Sequence, residues 1–459
     1  VSRLTGLLLS AWESGKALID ADYADGIRLF GAGMRAGRAE LEQLQLRRLR
    51  KLLHAFSTAG PAPEWLNPPT VALQSYADLS TLPVLTRAGL HELATRYGAY
   101  YRDRRDISAY ATGGSTGEPV RFLISRRQRN RAAGLRRKLD RLLGWEPGLP
   151  RLALWRANLH ETGRRDDKPA QSYHGWARRF GSQYFGGFCP TTDDYRRFLA
   201  AIHRLPRCAI WGYGSALEDC ARFLLGTEAA LPPGRIAAAW NCGEMMYPPQ
   251  KDTFRQAFGV QPRELYSSRE CSGLAAECAA GCLHISPRYI VESVDPETHR
   301  QLPSGETGLL LVSDLFNDAL PLVRYALGDL GAVEWRQCAC GLSSWCLTDL
   351  AGRTTTLIEL PSGRKVSTGI FAAIAVHLPD LHQWTVVRPA ANDFEVRYKG
   401  PALAAGRQHE LLAMLQRSLT GARISIVRAT ELPRAPSGKL LPYTDLRPDS
   451  AADGNQPDN

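Results

Sequence analysis

The chain has 459 residues, 44% of them hydrophobic and 22% charged, with a formal net charge of +11. That length exceeds what one ordinary hydrophobic core organises, so at least two domains are expected. No apolar run is long enough to cross a membrane, and the apolar stretch in "VSRLTGLLLSAW" is too short for a secretory leader, so the expectation is a soluble, cytoplasmic protein without membrane insertion.

Residues 1 to about 90 read as helical: "RLFGAGMRAGRAELEQLQLRRLRKLLHAF" spaces Leu and Ile at helical intervals with charges between, until "NPPT" and "STLPVLT" interrupt it. Next comes "AYATGGSTGEPVRF", Ala109 to Phe122, a loop of glycines and hydroxyls flanked by apolar residues. "VRFLIS" reads as a strand and Arg126 to about Leu143 as a basic helix. The middle alternates apolar strands ("RLALW", "AIWGY", "RIAAAWN") with helices ("ALEDCARFLL", "PQKDTFRQAF"). Such alternation predicts an α/β domain with partly parallel sheets. From Ile285 to Val333 the pattern turns to strands and turns. A small α+β unit is expected from about Thr354 to Tyr443, and the polar tail "RPDSAADGNQPDN" is expected to be disordered.

The Arg-rich clusters at Arg47–Lys51 and Arg126–Lys138 are either solvated helix faces or a docking face for an anionic partner. No basic stripe is interleaved with aromatics, which argues against nucleic acid.

The Gly/Thr loop suits phosphate chemically, because glycines expose backbone N–H groups and Thr112, Ser115 and Thr116 add hydroxyls. It is not a Walker loop, which requires GxxxxGK[ST] opening a helix, nor a GxGxxG dinucleotide fingerprint; an ordinary hairpin turn is the alternative.

Other stretches weigh on that choice. "TGGSTGEPV", "NCGEMMYPPQKDTFRQAFGVQPRELYSSRECSG", "LVRYALGDLG", "LAGRTTTLIELPSGRKV" and "LPRAPSGKLL" occur in the order found in the adenylate-forming (acyl-activating) enzymes. The chain resembles that family from about residue 80 to 445, and within it the phenylacetate–CoA ligase-like branch that includes capsule-biosynthesis adenylate-forming proteins. The resemblance implies an α/β fold. A large N-terminal domain of sheets flanked by helices (1–352) is joined by a hinge to a small α+β C-terminal domain (353–445), with a tail at 446–459.

It also implies a site. Thr112, Gly113, Gly114, Ser115, Thr116 and Gly117 would wrap the β- and γ-phosphates of ATP. Tyr266, followed by Ser267, would flank adenine, Glu270 would help hold Mg²⁺, and Asp329 would accept hydrogen bonds from both ribose hydroxyls. Arg353 would meet ribose or phosphate at the hinge, and Lys439 would neutralise charge between carboxylate and α-phosphate. The chemistry needs these types: two anions must meet, so catalysis rests on positioning and positive charge, and an already ionised carboxylate needs no general base.

Two departures stand out. "RTTT", Thr354 to Thr356, replaces the acidic residue usual after the hinge Arg, and Val120 and Arg121 stand where many relatives carry a Lys. Arg121 replaces that charge only if it points inward.

"ECAAGCLHI" and "CAC" place two pairs of soft ligands about sixty residues apart, a set that fits tetrahedral zinc. Relatives with similar pairings imply a structural metal held by Cys278, His284, Cys338 and Cys340. Cys282 competes with His284, and buried free thiols are the other reading. Cys242 and Cys271 read as packing residues; Cys346 has no assigned role.

The acid pocket is expected between the central sheets, lined by Trp211, Tyr213, Trp240, Gly243, Glu244 and Tyr247, which suits an aromatic acid; His160 is a candidate to approach the carboxylate. The implied reaction is ATP-dependent activation of a carboxylic acid to an acyl-adenylate, then transfer to CoA. An amine, carrier protein or sugar acceptor, or a non-catalytic nucleotide-binding relative, are the rival readings. The oligomeric state is open, a homodimer included.

Overall fold

The computed structural model describes residues 11, 14–58, 60–66, 73–111, 121–155, 182–187, 190–227, 230–353, 357–360, 365–367, 371, 374, 381, 383–433, 440 and 443–447. Two helices open it, α1 (Ala21–Gly33) and α2 (Arg38–Thr58), followed after two 3₁₀ turns by α3 (Arg87–Tyr100). The helical start anticipated from the Leu/Ile spacing is therefore present. Asp20 caps α1 by accepting from the Tyr23 N–H, and Thr86 caps α3 by accepting from the Gly89 N–H, each satisfying a donor that a helix start leaves unpaired.

A hairpin of β1 (Ile107–Ala111) and β2 (Arg121–Ser125) flanks the Gly/Thr loop, and the basic helix α4 (Arg126–Leu142) follows. Part of its charge is paired within the protein. Arg127 pairs with Asp22 at 3.0 Å, Arg131 with Asp22 at 3.2 Å and Arg136 with Asp140 at 2.6 Å. Asp22 of α1 lies against one side of the helix, while Arg126 and Arg141 stay exposed. The two helices touch through glycines: a Cβ on Gly26 would stand 2.0 Å from the Arg131 carbonyl oxygen, and one on Gly134 2.1 Å from that of Tyr23.

The middle of the chain builds a parallel block. β3 (Arg151–Leu154), β4 (Ser182–Phe185), α5 (Thr192–His203), β5 (Cys208–Gly212), α6 (Gly214–Leu225), β6 (Ile236–Cys242), α7 (Pro248–Phe258) and β7 (Arg263–Tyr266) follow in turn. Strands β4, β3, β5, β6 and β7 are parallel neighbours in that order. Parallel neighbours need crossovers, and α5, α6 and α7 supply those between β4 and β5, β5 and β6, and β6 and β7.

The sheet continues antiparallel through β8 (Ala275–Glu277), β9 (Leu283–Ile285), β10 (Tyr289–Val294), β11 (Gly308–Asp314), β12 (Tyr325–Gln337) and β13 (Ser343–Arg353). Its full order is β10-β11-β12-β13-β9-β8-β7-β6-β5-β3-β4. One core lies under the antiparallel part, with Leu90, Tyr97, Leu310 and Val312. A second packs α5, α6 and α7 on one face of the parallel strands, and a third packs α1 and α4 on the other.

Beyond Arg353 come the short pair β14 (Leu357–Glu359) and β15 (Lys365–Ser367). A separate four-stranded sheet follows, with β16 (Gln383–Ala390), β17 (Asp393–Lys399), β18 (Arg423–Arg428) and β19 (Tyr443–Asp445) in the order β18-β17-β16-β19. Helix α8 (Ala405–Ser418) packs its Leu411 and Leu415 into this sheet's own core, matching the expected α+β unit. Among the described residues no helix is long and apolar enough to cross a membrane.

Candidate active site

Open parallel sheets bind ligands in the crevice outside the carboxyl ends of their strands. Here the residues just past those ends are Trp155 after β3, Tyr213 after β5, Gly243 and Glu244 after β6, and Ser267 after β7. Gly243 has φ +85°, a left-handed backbone suited to glycine where β6 breaks off. Glu244 does not stand open in the crevice: its carboxylate accepts from the Ser215 N–H at 2.8 Å, at the start of α6, where a helix favours negative charge. The Asn241 side chain donates to the Glu244 carbonyl at 2.8 Å and fixes the turn.

The aromatics of this region divide. Tyr213 is buried and stacks on Trp155 with centroids 4.2 Å apart. Trp211 lies 5.1 Å from Trp155 and 6.1 Å from Tyr184. Burial pushes the Tyr213 hydroxyl's pKa up, and the neighbouring Glu244 adds to the rise.

Trp240 stacks on Trp211 at 6.2 Å but is wholly buried against α1 and α4, a core position rather than an accessible wall. Tyr247 leaves the group altogether: it packs against Trp384 of β16 at 6.1 Å, in the core of the C-terminal sheet. Burial pushes its hydroxyl up to about 12. Trp155 and Tyr184 were missed from the sequence, although Trp155 closes the quoted strand "RLALW".

On the antiparallel side, the Tyr266 hydroxyl donates to Asp329 Oδ2 at 2.5 Å, across 63 residues of sequence. Asp329 is the register partner of Arg353 where β12 and β13 pair. Gly328, with φ +78°, turns the strand just before it. Glu270 accepts from the Tyr325 hydroxyl at 3.2 Å. Ser267 Oγ accepts from the Gly273 N–H at 3.0 Å, and Ser268 Oγ from the Cys271 N–H at 2.9 Å. The turn carrying Arg269 and Glu270 is thus closed on itself.

Tyr266 and Asp329 are therefore brought together, with Arg353 beside Asp329 in the strand register, while Glu270 is held four residues along from Tyr266 by Tyr325. Arg121 begins β2 as an exposed residue opposite Ala111. Thr112 to Gly117, Val120, His160, Thr354 to Thr356 and Lys439 lie outside the described residues.

The Cys/His set assembles from two hairpins. In the β8–β9 turn the Cys278 N–H donates to the Cys282 carbonyl at 3.0 Å. In the β12–β13 turn the Cys338 N–H donates to that of Leu342 at 2.8 Å. Strands β9 and β13 are neighbours, with His284 opposite Cys346, which carries one turn onto the other.

Ligand atoms of Cys278, His284, Cys338 and Cys340 all lie within 4.8 Å of one another. The Cys278 and Cys338 sulfurs are 3.6 Å apart, and Cys340 Sγ is 3.3 Å from His284 Nε2. His284 Nδ1 faces the Ser344 hydroxyl at 2.7 Å and Cys346 Sγ at 3.7 Å, so Nε2 is the nitrogen turned to Cys340. Burial lowers the His284 pKa to about 4 and keeps the ring neutral. Burial also acts to raise the Cys338 thiol, but the Cys340 backbone N–H and neighbouring hydrogen bonds outweigh it and bring that thiol below its usual range. Cys282 instead meets Cys346 at 3.3 Å, and the pair forms a second group with His284. Cys346, without a role from sequence, belongs to this cluster; Cys242 and Cys271 are buried as packing residues.

No family model matches the chain. A phenylacetate-coenzyme A ligase of Thermus thermophilus is 25% identical over 222 residues, covering 42% of this chain and 50% of the relative. The chain thus matches half the length of that curated relative. A 2-hydroxyisobutyryl-CoA ligase in the postadenylation state, in complex with R3-HIB-AMP, aligns with a TM-score of 0.72 at 17% identity, over 90% of this chain and 91% of that one. The same ligase with 2-HIB-AMP and CoA in the thioesterification state gives 0.58 at 18% identity, over 92% and 93%. An anthranilate CoA ligase in complex with anthranoyl-AMP gives 0.52 at 16%, over 73% and 66%.

Proposed function

Starting from the fold of the adenylate-forming acyl–CoA ligases, which this chain has, we propose that it activates a carboxylic acid with ATP and passes the acyl group to CoA. The observation that carries this reading is the hydrogen bond by which Tyr266, at the carboxyl end of the parallel strand β7, holds Asp329, whose register partner is Arg353. A carboxylate offers about four lone-pair sites. The Tyr266 hydroxyl takes one and orients the group, and an ionised carboxylate so placed suits recognition of ribose hydroxyls.

Tyr266 flanks adenine, and the loop Thr112–Gly117, which continues from β1, receives the β- and γ-phosphates. Glu270, held by Tyr325, would bind Mg²⁺, which when present supplies charge neutralisation on the phosphates. The acid's oxygen forms a bond to the α-phosphorus as the bond to pyrophosphate breaks. No proton moves, because the acid arrives ionised. Residues 353–445 are the small domain hinged at Arg353, which brings Lys439 to the site.

The half-exposed wall of Trp155, Trp211 and Tyr184 favours an aryl acid, as the name of the phenylacetate-acting relative also suggests. ATP–pyrophosphate exchange across aryl and fatty acids tests the first step, and CoA-dependent release of AMP tests the second. Exchange with an aryl acid is expected; binding of ATP or AMP without exchange on any acid would leave a nucleotide-binding relative.

Cys278, His284, Cys338 and Cys340 we assign to a structural zinc ion. Zn–S bonds of about 2.3 Å put tetrahedral sulfur neighbours about 3.8 Å apart, close to the 3.6 Å between Cys278 and Cys338. The ion would tie the two hairpin turns together. Protein purified without added metal is expected to carry about one zinc per chain, lost when Cys338 and Cys340 become Ser; unchanged or absent zinc overturns the assignment.

A further inference from the structure

The four residues assigned to zinc leave two sulfurs of the same cluster unused. Cys282 Sγ and Cys346 Sγ lie 3.3 Å apart, closer than the 3.6 Å between Cys278 and Cys338, and both are buried. Cys346 is opposite His284 where β13 pairs with β9, and Leu347 is opposite Leu283. Cys282 stands two residues before His284 and so shares its face of the sheet, which sets it diagonal to Cys346.

That diagonal crosses a seam of the large sheet. The two register pairs between β9 and β13 join the part that carries Asp329 and Arg353, on β12 and β13, to the part that carries Tyr266, on β7. A disulfide needs its sulfurs about 2.05 Å apart, so this pair must close by about 1.2 Å. Burial raises both thiols and keeps them protonated, which makes attack on an oxidant slow. Once one sulfur is oxidised, however, its partner is already in contact with it.

We propose that Cys282 and Cys346 are an oxidisable dithiol, which hydrogen peroxide closes to a disulfide that staples β9 to β13 across this seam. Cys282, 7% exposed against 0% for Cys346, reacts first. Its sulfur attacks a peroxide oxygen and the O–O bond breaks, giving a sulfenic acid and one water. The Cys346 sulfur then attacks the Cys282 sulfur. The S–S bond forms, the S–O bond breaks, and a second water carries away the remaining thiol proton. Two electrons pass from the sulfurs to the peroxide. The zinc assignment takes the other sulfurs of the cluster, Cys278, Cys338 and Cys340, and leaves this pair to close; the adenylation reading plays no part in it.

The test treats the full chain, purified with whatever metal it carries, with hydrogen peroxide, alkylates the remaining thiols and reads the non-reduced peptides by mass spectrometry. The expected product is a peptide pair joined through Cys282 and Cys346, and dithiothreitol should undo it. The bond links residues 64 apart in sequence, so the oxidised protein should also unfold about 2 °C or more above the reduced protein. Cys346→Ala and Cys282→Ala, treated alike, should each show neither the cross-link nor the shift, and either one suffices if the other fails to fold. Wild type that keeps both thiols open to alkylation, carries Cys282 on to sulfinic acid, or cross-links through Cys278, Cys338 or Cys340 overturns the assignment. A Cys282–Cys346 cross-link that leaves the unfolding temperature unchanged overturns the staple.

Discussion

Asp329→Ala is the perturbation that bears most directly on the nucleotide site. The carboxylate sits half-buried on β12 and takes the Tyr266 hydroxyl at 2.5 Å. If it also accepts both ribose hydroxyls, the substitution removes two hydrogen bonds to a charged group. Each is worth about 1.5–3 kcal/mol, and partial exposure favours the low end, so the loss is about 3–4 kcal/mol. That converts to roughly 150- to 1,000-fold in kcat/KM for ATP.

Tyr266→Phe removes only the orienting bond and should cost about tenfold or less. The assay is pyrophosphate exchange with ATP and with 2′,3′-dideoxy-ATP. The dideoxy substrate already lacks what Asp329 binds, so the substitution should change its turnover little and the two losses should not add. An Asp329→Ala variant that loses as much again on the dideoxy substrate refutes ribose recognition and leaves Asp329 a partner for Tyr266.

Lys439→Ala should cut exchange by about 100-fold or more through lost charge stabilisation with ATP affinity nearly intact by calorimetry; equal loss of both counts against its catalytic role. Gly134→Ala drives a Cβ to within 2.1 Å of the Tyr23 carbonyl oxygen and should destabilise by about 1–3 kcal/mol or more. Gly98→Ala on α3, with nothing within 4 Å, should be neutral or stabilising by about 0.5–1 kcal/mol; equal unfolding temperatures for the two variants would contradict the close approach of α1 and α4.

Burial raises the Glu218 carboxyl to about 7 from 4.5. Its contribution to stability is therefore full below about 4.5 and is lost as pH rises through about 7, at about 1.4 kcal/mol per unit at most. Glu218→Gln should flatten that part of the decline in denaturant unfolding between pH 5 and 7.5, and an unchanged slope would place Glu218 ionised in the fold.

The sequence by itself determined the local elements and the kinds of chemistry available. Apolar runs of strand length alternating with amphipathic helices forecast the parallel block β3–β7, because side-chain periodicity is a property of neighbours in the chain. The Gly/Thr loop and the two cysteine pairs were visible as residue types that phosphate and zinc chemistry use, while Asp329 stood out only through the family resemblance. Only the tertiary structure decided which distant elements share an edge.

Tyr266 meets Asp329 across 63 residues, although β13, β9 and β8 stand between their strands in the sheet order. The cysteine pairs meet because β9 pairs with β13. Strand order likewise sends Trp240 inward beneath Trp211, and Tyr247 onto the C-terminal sheet. Those choices follow from which faces bury together, and burial is a sum over contacts far apart in the chain that no local window of sequence contains.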